Sequence, residues 1–193
     1  MIERTLVYSQ HKTIWVYDDV LDFQSRQSLF SYFSNSYFTT TGYDADFHTH
    51  RSRQLYSNFG PHDLARSRFC TYPGICEIYQ RHSLESMTVK ATRVNAVVAS
   101  ERNQTHSDAC DYTMIYFSNM VWPLEWGGHL FFPTENMDDI KQVVAFRPGR
   151  VVFFDGSIPH LVQTITPMSE DMRFSFVLQF VKDDLSDKIV KQD

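Results

Sequence analysis

The sequence predicts a mostly β protein with flanking α-helices, of the sandwich, jelly-roll or barrel type. Two observations favour this class. After Met87 the chain contains a series of short segments rich in β-branched and aromatic residues, and glycine- or proline-containing turns separate them. Before Met87, apolar residues recur at helical spacing in two segments. Many short strands at such spacing are typical of β sandwiches, jelly rolls and barrels.

Length and composition predict one globular domain over residues 1–193. The chain is 42% hydrophobic and has 16 Phe and 10 Tyr, which is enough for a sizeable core. The formal net charge of −5 gives no support for a nucleic-acid partner. No apolar run has the length of a membrane span, and the N-terminus lacks a signal-peptide core. The three cysteines form no CxxC pair and suit a reducing compartment, so we expect a cytoplasmic protein.

Residues 1–87 are predicted to form supporting helices and a lid. The predicted elements, in chain order, are a strand at Thr13–Leu21, a helix from the N-cap Asp22 to about Asn35, a short strand at Gln54–Asn58 and a helix at Gly74–Ser86. The first helix is expected to present Phe23, Arg26, Phe30 and Phe33 on one face. The Ser36–Tyr72 segment has no clear periodicity, and a long loop of this kind is often functional.

A basic segment lies between Phe47 and His82. It contains five Arg and four His against two acidic residues, in a chain that is acidic overall. One interpretation is a solvated loop. The other is a lid that meets an anionic substrate, with Arg53 as a candidate substrate contact.

Residues 88–182 are predicted to form the β core, and residues 183–193 a C-terminal tail. The predicted strands are Val89–Ser100, Tyr112–Ser118, His129–Phe132, Val151–Phe154, Leu161–Ile165 and Arg173–Val181. No internal repeat or linker divides this region.

A His-x-Asp pattern at His106 and Asp108 opens the candidate site. By itself this pattern is weak, because a chain of this composition contains it about 0.7 times by chance. Two residues apart on a strand, however, the imidazole and the carboxylate point to the same face. They can therefore occupy two adjacent positions on one metal ion. His160, after the Gly156–Pro159 turn, is placed to supply the third ligand.

Two histidines and one carboxylate on one face of a metal are the ligand set of non-haem Fe(II) oxygenases. The opposite face stays open, which allows a 2-oxo acid to bind through two atoms and O2 through one. Arg173 follows His160 by 13 residues, and an inward-facing guanidinium there can bind a distal carboxylate in a bidentate manner. Ser175 lies on the same face and can add a hydrogen bond. The alternative for Arg173 is a structural ion pair.

Together these residues carry a family resemblance. The motifs, in order, are His106-x-Asp108, Ile115–Asn119, Trp126–Phe132, Pro148–Phe154, Ile158–His160 and Arg173. In this order and spacing they resemble the Fe(II)/2-oxoglutarate oxygenases of the prolyl 4-hydroxylase-like superfamily, above all its small single-domain bacterial and phage members. The resemblance covers Met87 to Lys182, with a weaker similarity in the Trp15–Leu21 strand and the helix after it.

The resemblance implies a double-stranded β-helix, the jelly roll of cupin-like proteins. It implies Fe(II) on His106, Asp108 and His160, and 2-oxoglutarate on Arg173. The family pattern turns Thr113 toward the co-substrate. The sequence departs from that pattern at Phe117 and Val97, where many members have tyrosines, and Thr113 and Ser175 are expected to compensate.

The activity implied by the resemblance is hydroxylation of an unactivated C–H bond, with consumption of 2-oxoglutarate and O2 and release of succinate and CO2. The expected substrate is a prolyl residue in a peptide or an amino acid. Candidate substrate contacts are Asn95, Trp126 and Arg53, whereas His129 is expected not to ligate the metal. Two alternatives stay open: an oxygenase of the same fold acting on another small metabolite, and a jelly-roll protein that binds a metal or ligand without turnover.

Overall fold

The computed structural model describes residues 1–40, 55–101 and 103–183, and these contain three α-helices and eleven strands. The helices are α1 (Phe23–Ser34), α2 (Pro61–Ser67) and α3 (Pro73–Arg81). The strands are β1 (Ile2–Val7), β2 (Thr13–Asp18), β3 (Thr39–Thr40), β4 (Leu55–Asn58), β5 (Met87–Val97), β6 (Tyr112–Phe117), β7 (Leu130–Pro133), β8 (Ile140–Val144), β9 (Val151–Asp155), β10 (Leu161–Val162) and β11 (Arg173–Lys182). Short 3-10 helices lie at Phe69–Thr71, Leu84–Ser86 and Leu124–Trp126.

The strands form two antiparallel sheets. The large sheet has eight strands in the order β1-β2-β9-β6-β11-β5-β4-β3, and the small sheet has the order β10-β7-β8. His106 adds a short backbone bridge to His160, just before β10. From β5 onward the chain therefore passes back and forth between the sheets: β5, β6, β9 and β11 lie in the large one, and the His106 segment, β7, β8 and β10 in the small one. This alternation is a jelly roll, as predicted for the double-stranded β-helix.

The two faces of the large sheet have different partners, as β11 shows. Phe174, Phe176, Leu178 and Phe180 belong to a core shared with the helices. There the Phe33 ring of α1 stacks on Phe176 at a centroid distance of 4.4 Å. The alternate residues Arg173, Ser175, Val177 and Gln179 point to the other face, because successive side chains of a strand alternate. Apolar residues of the small sheet cover much of this inner face.

A buried ion pair ties β2 to the turn before β9. The guanidinium of Arg150 donates from Nε and Nη2 to the two carboxylate oxygens of Asp18, at 2.7 and 2.9 Å. Its Nη1 donates to the carbonyl of Ala145 at 2.7 Å. With most of its donors engaged, Arg150 is a structural residue, in contrast to Arg173 described below.

The first helix begins as predicted. The Asp22 side chain accepts a hydrogen bond of 2.8 Å from the backbone N–H of Ser25, which satisfies one free amide at the helix start. The face predicted from Phe23, Arg26, Phe30 and Phe33 is only partly the buried one. Leu29 and Phe33 are the buried residues, whereas Phe23 is 65% exposed in the first turn.

Other elements differ from the sequence prediction. The Ser36–Tyr72 segment contains the helix α2, in which Gly60 is the N-cap and Pro61 the first helical residue, an arrangement that proline favours. The predicted Gly74–Ser86 helix ends at Arg81, because Ser83 adopts a left-handed conformation with φ of 53°. The strands β1, β3 and β8 were not predicted. Within the described segments, none of the helices combines the length and apolar character needed to cross a bilayer.

The Tyr17–His82 pair makes the stability of the fold depend on pH. Tyr17 Oη lies 2.6 Å from His82 Nε2, and the His82 ring packs on Trp15 and Phe153. Burial of the ring, with a contribution from Arg81, lowers the pKa of His82 to about 4. The folded state therefore holds this imidazole neutral, while the unfolded chain protonates it near pH 6.5.

The contribution of His82 to stability is consequently complete above pH 6.5 and is lost as the pH drops toward 4. The free energy of unfolding of the wild type should therefore decrease between pH 7 and pH 5. We expect His82→Gln, which does not titrate, to make this decrease about 1 kcal/mol smaller, a modest value because solvent screens the partly exposed ring. Urea unfolding of metal-free wild type and variant at both pH values measures the difference. Equal pH-dependent losses in the two proteins would show that His82 is not responsible.

Candidate metal centre and anion site

The structure brings His106, Asp108 and His160 together at one end of the jelly roll. His106 and His160 exchange backbone hydrogen bonds of 3.0 and 2.8 Å, and the Asp108 N–H donates to the carbonyl of Gly156 at 2.8 Å. These bonds hold the His-x-Asp segment beside the turn that precedes β10. The three residues predicted from spacing are thus neighbours in space, although 52 residues separate Asp108 from His160.

The side chains offer three ligand atoms that one metal ion can share. His106 Nε2 lies 4.0 Å from Asp108 Oδ1, and His160 Nε2 lies 3.8 Å from Asp108 Oδ2. One ligand atom from each of the three residues lies within 4.8 Å of the others, so the three side chains face a common position for an ion. In the described part of the chain, this is the one group of histidine, cysteine and acidic side chains that meets the geometry of a metal site.

Hydrogen bonds orient both imidazoles for ligation. His106 Nδ1 lies 3.1 Å from the carbonyl of Gln104, and His160 Nδ1 lies 3.0 Å from that of Ile158. A carbonyl only accepts, so each Nδ1 carries the proton and each Nε2 keeps its lone pair. This arrangement of a ligating histidine with a backbone acceptor is the usual one at metal sites.

Burial keeps His160 in the neutral form that a metal requires. The ring lies in the interior, packed on Phe154 at a centroid distance of 4.9 Å. Burial and the neighbouring His106 lower the pKa of His160 to about 4. His106 is 58% exposed, so the cluster has one dry side and one side open to solvent. An ion held there would be accessible to ligands from outside.

Thr113 supports the carboxylate of the cluster. Its hydroxyl donates to Asp108 Oδ2 at 2.5 Å, and the Cys110 sulfur lies 3.4 Å from the same hydroxyl. The sequence prediction gave Thr113 a contact with 2-oxoglutarate. In the structure its hydroxyl donates to the carboxylate of Asp108 and fixes the orientation of that side chain, while the contact with 2-oxoglutarate stays a prediction.

Arg173 forms a buried cationic site on the same inner face. The residue is 1% exposed. Its Nε donates to the carbonyl of Gly128 at 2.8 Å and its Nη1 to Ser175 Oγ at 3.3 Å, while Nη2 has no hydrogen-bond partner. No carboxylate of the described residues lies within ion-pair distance of this guanidinium. The alternative of a structural ion pair for Arg173 is therefore not what the described residues show.

The surroundings of Arg173 hold it in place without neutralising it. The guanidinium carbon lies 4.5 Å from the centre of the Phe146 ring and 5.2 Å from that of Phe117. Burial lowers the pKa of Arg173 to about 9, which leaves the group protonated at neutral pH. A buried charge without a partner is costly, so the arrangement favours an anionic ligand. A carboxylate fits the free Nη2, and this matches the distal carboxylate of 2-oxoglutarate.

The Gly127–Gly128 pair creates the space for Arg173. Both residues have positive φ values, 69° and 70°, which glycine adopts without strain. A Cβ on Gly128 would lie 3.0 Å from Cδ of Arg173. The glycine pair thus lets a backbone carbonyl approach the guanidinium and accept its Nε–H.

The remaining predicted residues have mixed placements. Ser175 contacts Arg173, and Asn95 lies directly opposite Ser175 in the β5–β11 register, so it faces inward as expected. Trp126 packs edge-to-face on Trp122, at a centroid distance of 5.2 Å. Arg53 lies outside the described residues. Phe117 and Val97, which stand where the family pattern has tyrosines, are both buried on the inner face.

Sequence reasoning missed the contribution of Phe146. This residue follows β8, carries no motif, and stacks on Phe117 with a centroid separation of 4.5 Å. His129 Nδ1 accepts the N–H of Phe146 at 3.1 Å, so His129 positions this aromatic side chain and lies outside the metal cluster. The signal for it was weak, because a lone phenylalanine before a Pro148–Gly149 turn has no distinguishing pattern.

A separate groove of about 720 Å³ lies on the opposite face of the large sheet. It is bordered by the end of α1, by β4 and by α2, with Tyr32 and Asp63 among its lining residues. Ser57, which also lines it, opposes Val94, a residue of the helix-side core. The sheet therefore separates this groove from the metal cluster, and we assign it no role in the chemistry.

The fold is shared with solved structures of 2-oxoglutarate oxygenases. A Pseudomonas putida prolyl-4-hydroxylase has a TM-score of 0.66 at 13% identity, over 89% of this chain and 93% of that one. A Trichoplax adhaerens prolyl hydroxylase, in complex with a peptide of hypoxia inducible factor, has a TM-score of 0.62 at 16% identity, over 93% and 87%. The epimerase SnoN from nogalamycin biosynthesis, in complex with Fe3+, alpha ketoglutarate and nogalamycin RO, has 0.58 at 15%, over 88% and 78%.

At the level of sequence, no family model and no curated protein matches the chain. The structural comparisons confirm the predicted double-stranded β-helix. At 13% and 16% identity, the similarity to the two prolyl hydroxylases is a similarity of fold.

The contact between Thr113 and Asp108 predicts a specific effect on metal affinity. Thr113→Val keeps the shape of the side chain but removes its donor, so we expect the affinity for Co(II) to fall about 10–100-fold. Thr113→Ser retains the hydroxyl and is the matched control, with an affinity close to that of the wild type. Calorimetric titration of the metal-free proteins measures both. Identical affinities for the valine and serine variants would exclude a role for the hydroxyl.

Proposed function

We propose that this protein is an Fe(II)/2-oxoglutarate-dependent dioxygenase that hydroxylates an unactivated C–H bond. The observation that carries the proposal is the combination of two sites inside one jelly roll. One is a set of two imidazoles and a carboxylate with free ligand atoms. The other is a buried guanidinium with no carboxylate among the described residues and one unpaired donor. A metal ion and a dicarboxylate satisfy both.

The metal cluster, Arg173 and the apolar lining would each have a separate role. His106, Asp108 and His160 would hold Fe(II) on one side and leave the other side open. Arg173 and Ser175 would bind and orient the distal carboxylate of 2-oxoglutarate, so that its 2-oxo acid end points toward the metal. When bound, the iron supplies the activation of O2 that side chains cannot provide. The apolar lining from Ile115, Val152 and Phe154 excludes water from the interior.

The substrate we favour is a prolyl residue in a peptide or an amino acid. Two of the similar structures are prolyl hydroxylases, and the Trichoplax adhaerens protein was solved with a peptide. A second candidate is a small metabolite, because SnoN has the same fold and was solved with nogalamycin RO. In either case the products expected from the co-substrates are succinate and CO2.

Succinate formation tests the proposed activity even before the substrate is known. Protein purified without oxygen and then supplied with Fe(II), 2-oxoglutarate and O2 is expected to form succinate slowly without substrate. Asp108→Ala removes the carboxylate ligand, and we expect its succinate formation to fall to the level of a protein-free control.

Asp171→Ala, in an exposed turn, is the control and should keep the wild-type rate. Circular dichroism confirms that each variant is folded. Succinate formation that is unaffected by Asp108→Ala, or absent from folded wild-type protein loaded with metal, would overturn the proposed function.

A further inference from the structure

The inner faces of β4 and β5 carry polar side chains beside the proposed co-substrate site. Asn95 lies opposite Ser175 on one side and Tyr56 on the other. Two residues before Asn95 in β5, Arg93 lies opposite Val177 of β11 and Asn58 of β4. Directly opposed residues of paired strands point to the same face. Arg93, Asn95 and Tyr56 therefore face the interior of the jelly roll, as Ser175 and Val177 do.

Arg93 is a second arginine on this face without an acidic partner. None of the hydrogen bonds or ion pairs formed by the described residues involves its side chain. The side chains of Asn95 and Tyr56 are likewise free of hydrogen bonds, and all three residues are partly buried. Arg4 in β1 and Arg150 before β9 differ in this respect, since both pair with Asp18.

The register places Arg93 within reach of the metal cluster. Val177 opposes both Arg93 and Ile115, and Thr113, which contacts Asp108, is two residues from Ile115 on the same face. Two strand spacings separate the Cα atoms of Arg93 and Ile115 by about 10 Å. The side chains of Arg93, Ile115 and Thr113 all stand on the inner face of the sheet. A group bound to Arg93 would thus share this interior with Thr113 and the Asp108 carboxylate, on the side away from β9.

We propose that Arg93, assisted by Asn95 and Tyr56, binds a carboxylate of the substrate while Arg173 binds the co-substrate. This rests on the proposed function and adds the substrate class: an amino acid, or a peptide with a terminal carboxylate close to the oxidised carbon. The planar guanidinium fits a carboxylate in a bidentate manner, and the amide of Asn95 and the hydroxyl of Tyr56 add neutral donors. No acidic side chain among the described residues competes for that position.

Matched pools of carboxylates and carboxamides test the proposal. One pair of pools holds free L-amino acids and their carboxamides. The other holds N-acetylated Xaa-Pro dipeptides with a free or an amidated C-terminus. Wild-type enzyme with Fe(II), 2-oxoglutarate and O2 is expected to add one oxygen to a carboxylate substrate, detected by mass, and to oxidise its amide at least about 10-fold less efficiently. The pair of pools in which oxidation occurs shows whether the substrate is a free amino acid or a peptide.

The Arg93→Gln variant assigns the effect to this residue. We expect its kcat/KM for the carboxylate substrate to fall at least about 10-fold, while kcat/KM for the amide and substrate-free succinate formation stay unchanged. Arg93→Lys keeps the positive charge but loses the planar pair of N–H donors, so we expect its kcat/KM for the carboxylate substrate to be intermediate. Arg66→Gln, at an exposed arginine of α2 on the other face, is the matched control.

Three results would overturn the inference. One is equal oxidation of carboxylate and amide by the wild type. Another is a loss in Arg93→Gln that is the same for both substrates. The third is no oxidation in either carboxylate pool while substrate-free succinate formation persists. Absence of all succinate formation in the wild type is a different outcome, which contradicts the proposed function itself and this inference with it.

Discussion

The buried charge of Arg173 is the constraint on which the proposed site depends. Removing a guanidinium from water costs several kcal/mol unless an anion compensates, and the described residues provide none. The chain nevertheless holds the group firmly. Gly127 and Gly128 take positive φ values so that a carbonyl can accept the Nε–H, and two aromatic rings stack against the charge. A fold that retains such a costly group in a fixed pose favours an anionic ligand.

The side chains of the candidate metal site are also held in fixed orientations. Backbone carbonyls set the tautomer of both histidines, and Thr113 fixes the carboxylate of Asp108. These contacts fix the orientation of all three candidate ligand side chains. The two halves lie in one interior because Arg173 and the Asp108-binding Thr113 belong to paired strands, β11 and β6, whose inner faces coincide.

Much of this arrangement could be predicted from the sequence, for physical reasons that differ between residues. Alternation along β11 was sufficient to turn Arg173 and Ser175 to the inner face. The same reasoning placed His106 and Asp108 on a strand, whereas the structure positions them outside the eleven strands, through backbone hydrogen bonds to His160 and Gly156. The alternation of side chains along β6 also predicted that Thr113 points inward. It could not distinguish a contact with Asp108 from a contact with the co-substrate. Phe146 was beyond reach because its contact with Arg173 depends on how the β8–β9 connection packs, and no local pattern encodes that.

The misassigned elements have similar explanations. The strand β8 is mostly exposed and lacks a clear apolar alternation, so its pairing with β7 is set by the sheet and not by its own sequence. The edge strand β1 is likewise exposed. In α2, Gly60 and Pro61 suggested a loop, yet the same two residues are also suited to start a helix.

The measurement that tests the central claim most directly is the affinity of metal-loaded protein, kept anaerobic, for 2-oxoglutarate and for 2-oxobutanoate. Both offer the same 2-oxo acid to the metal, and only 2-oxoglutarate has the distal carboxylate. We expect the wild type to prefer 2-oxoglutarate on the order of 100-fold, and Arg173→Gln to lose this preference while binding 2-oxobutanoate unchanged. Equal affinity of the wild type for the two acids would contradict the assignment of Arg173 as the partner of the co-substrate.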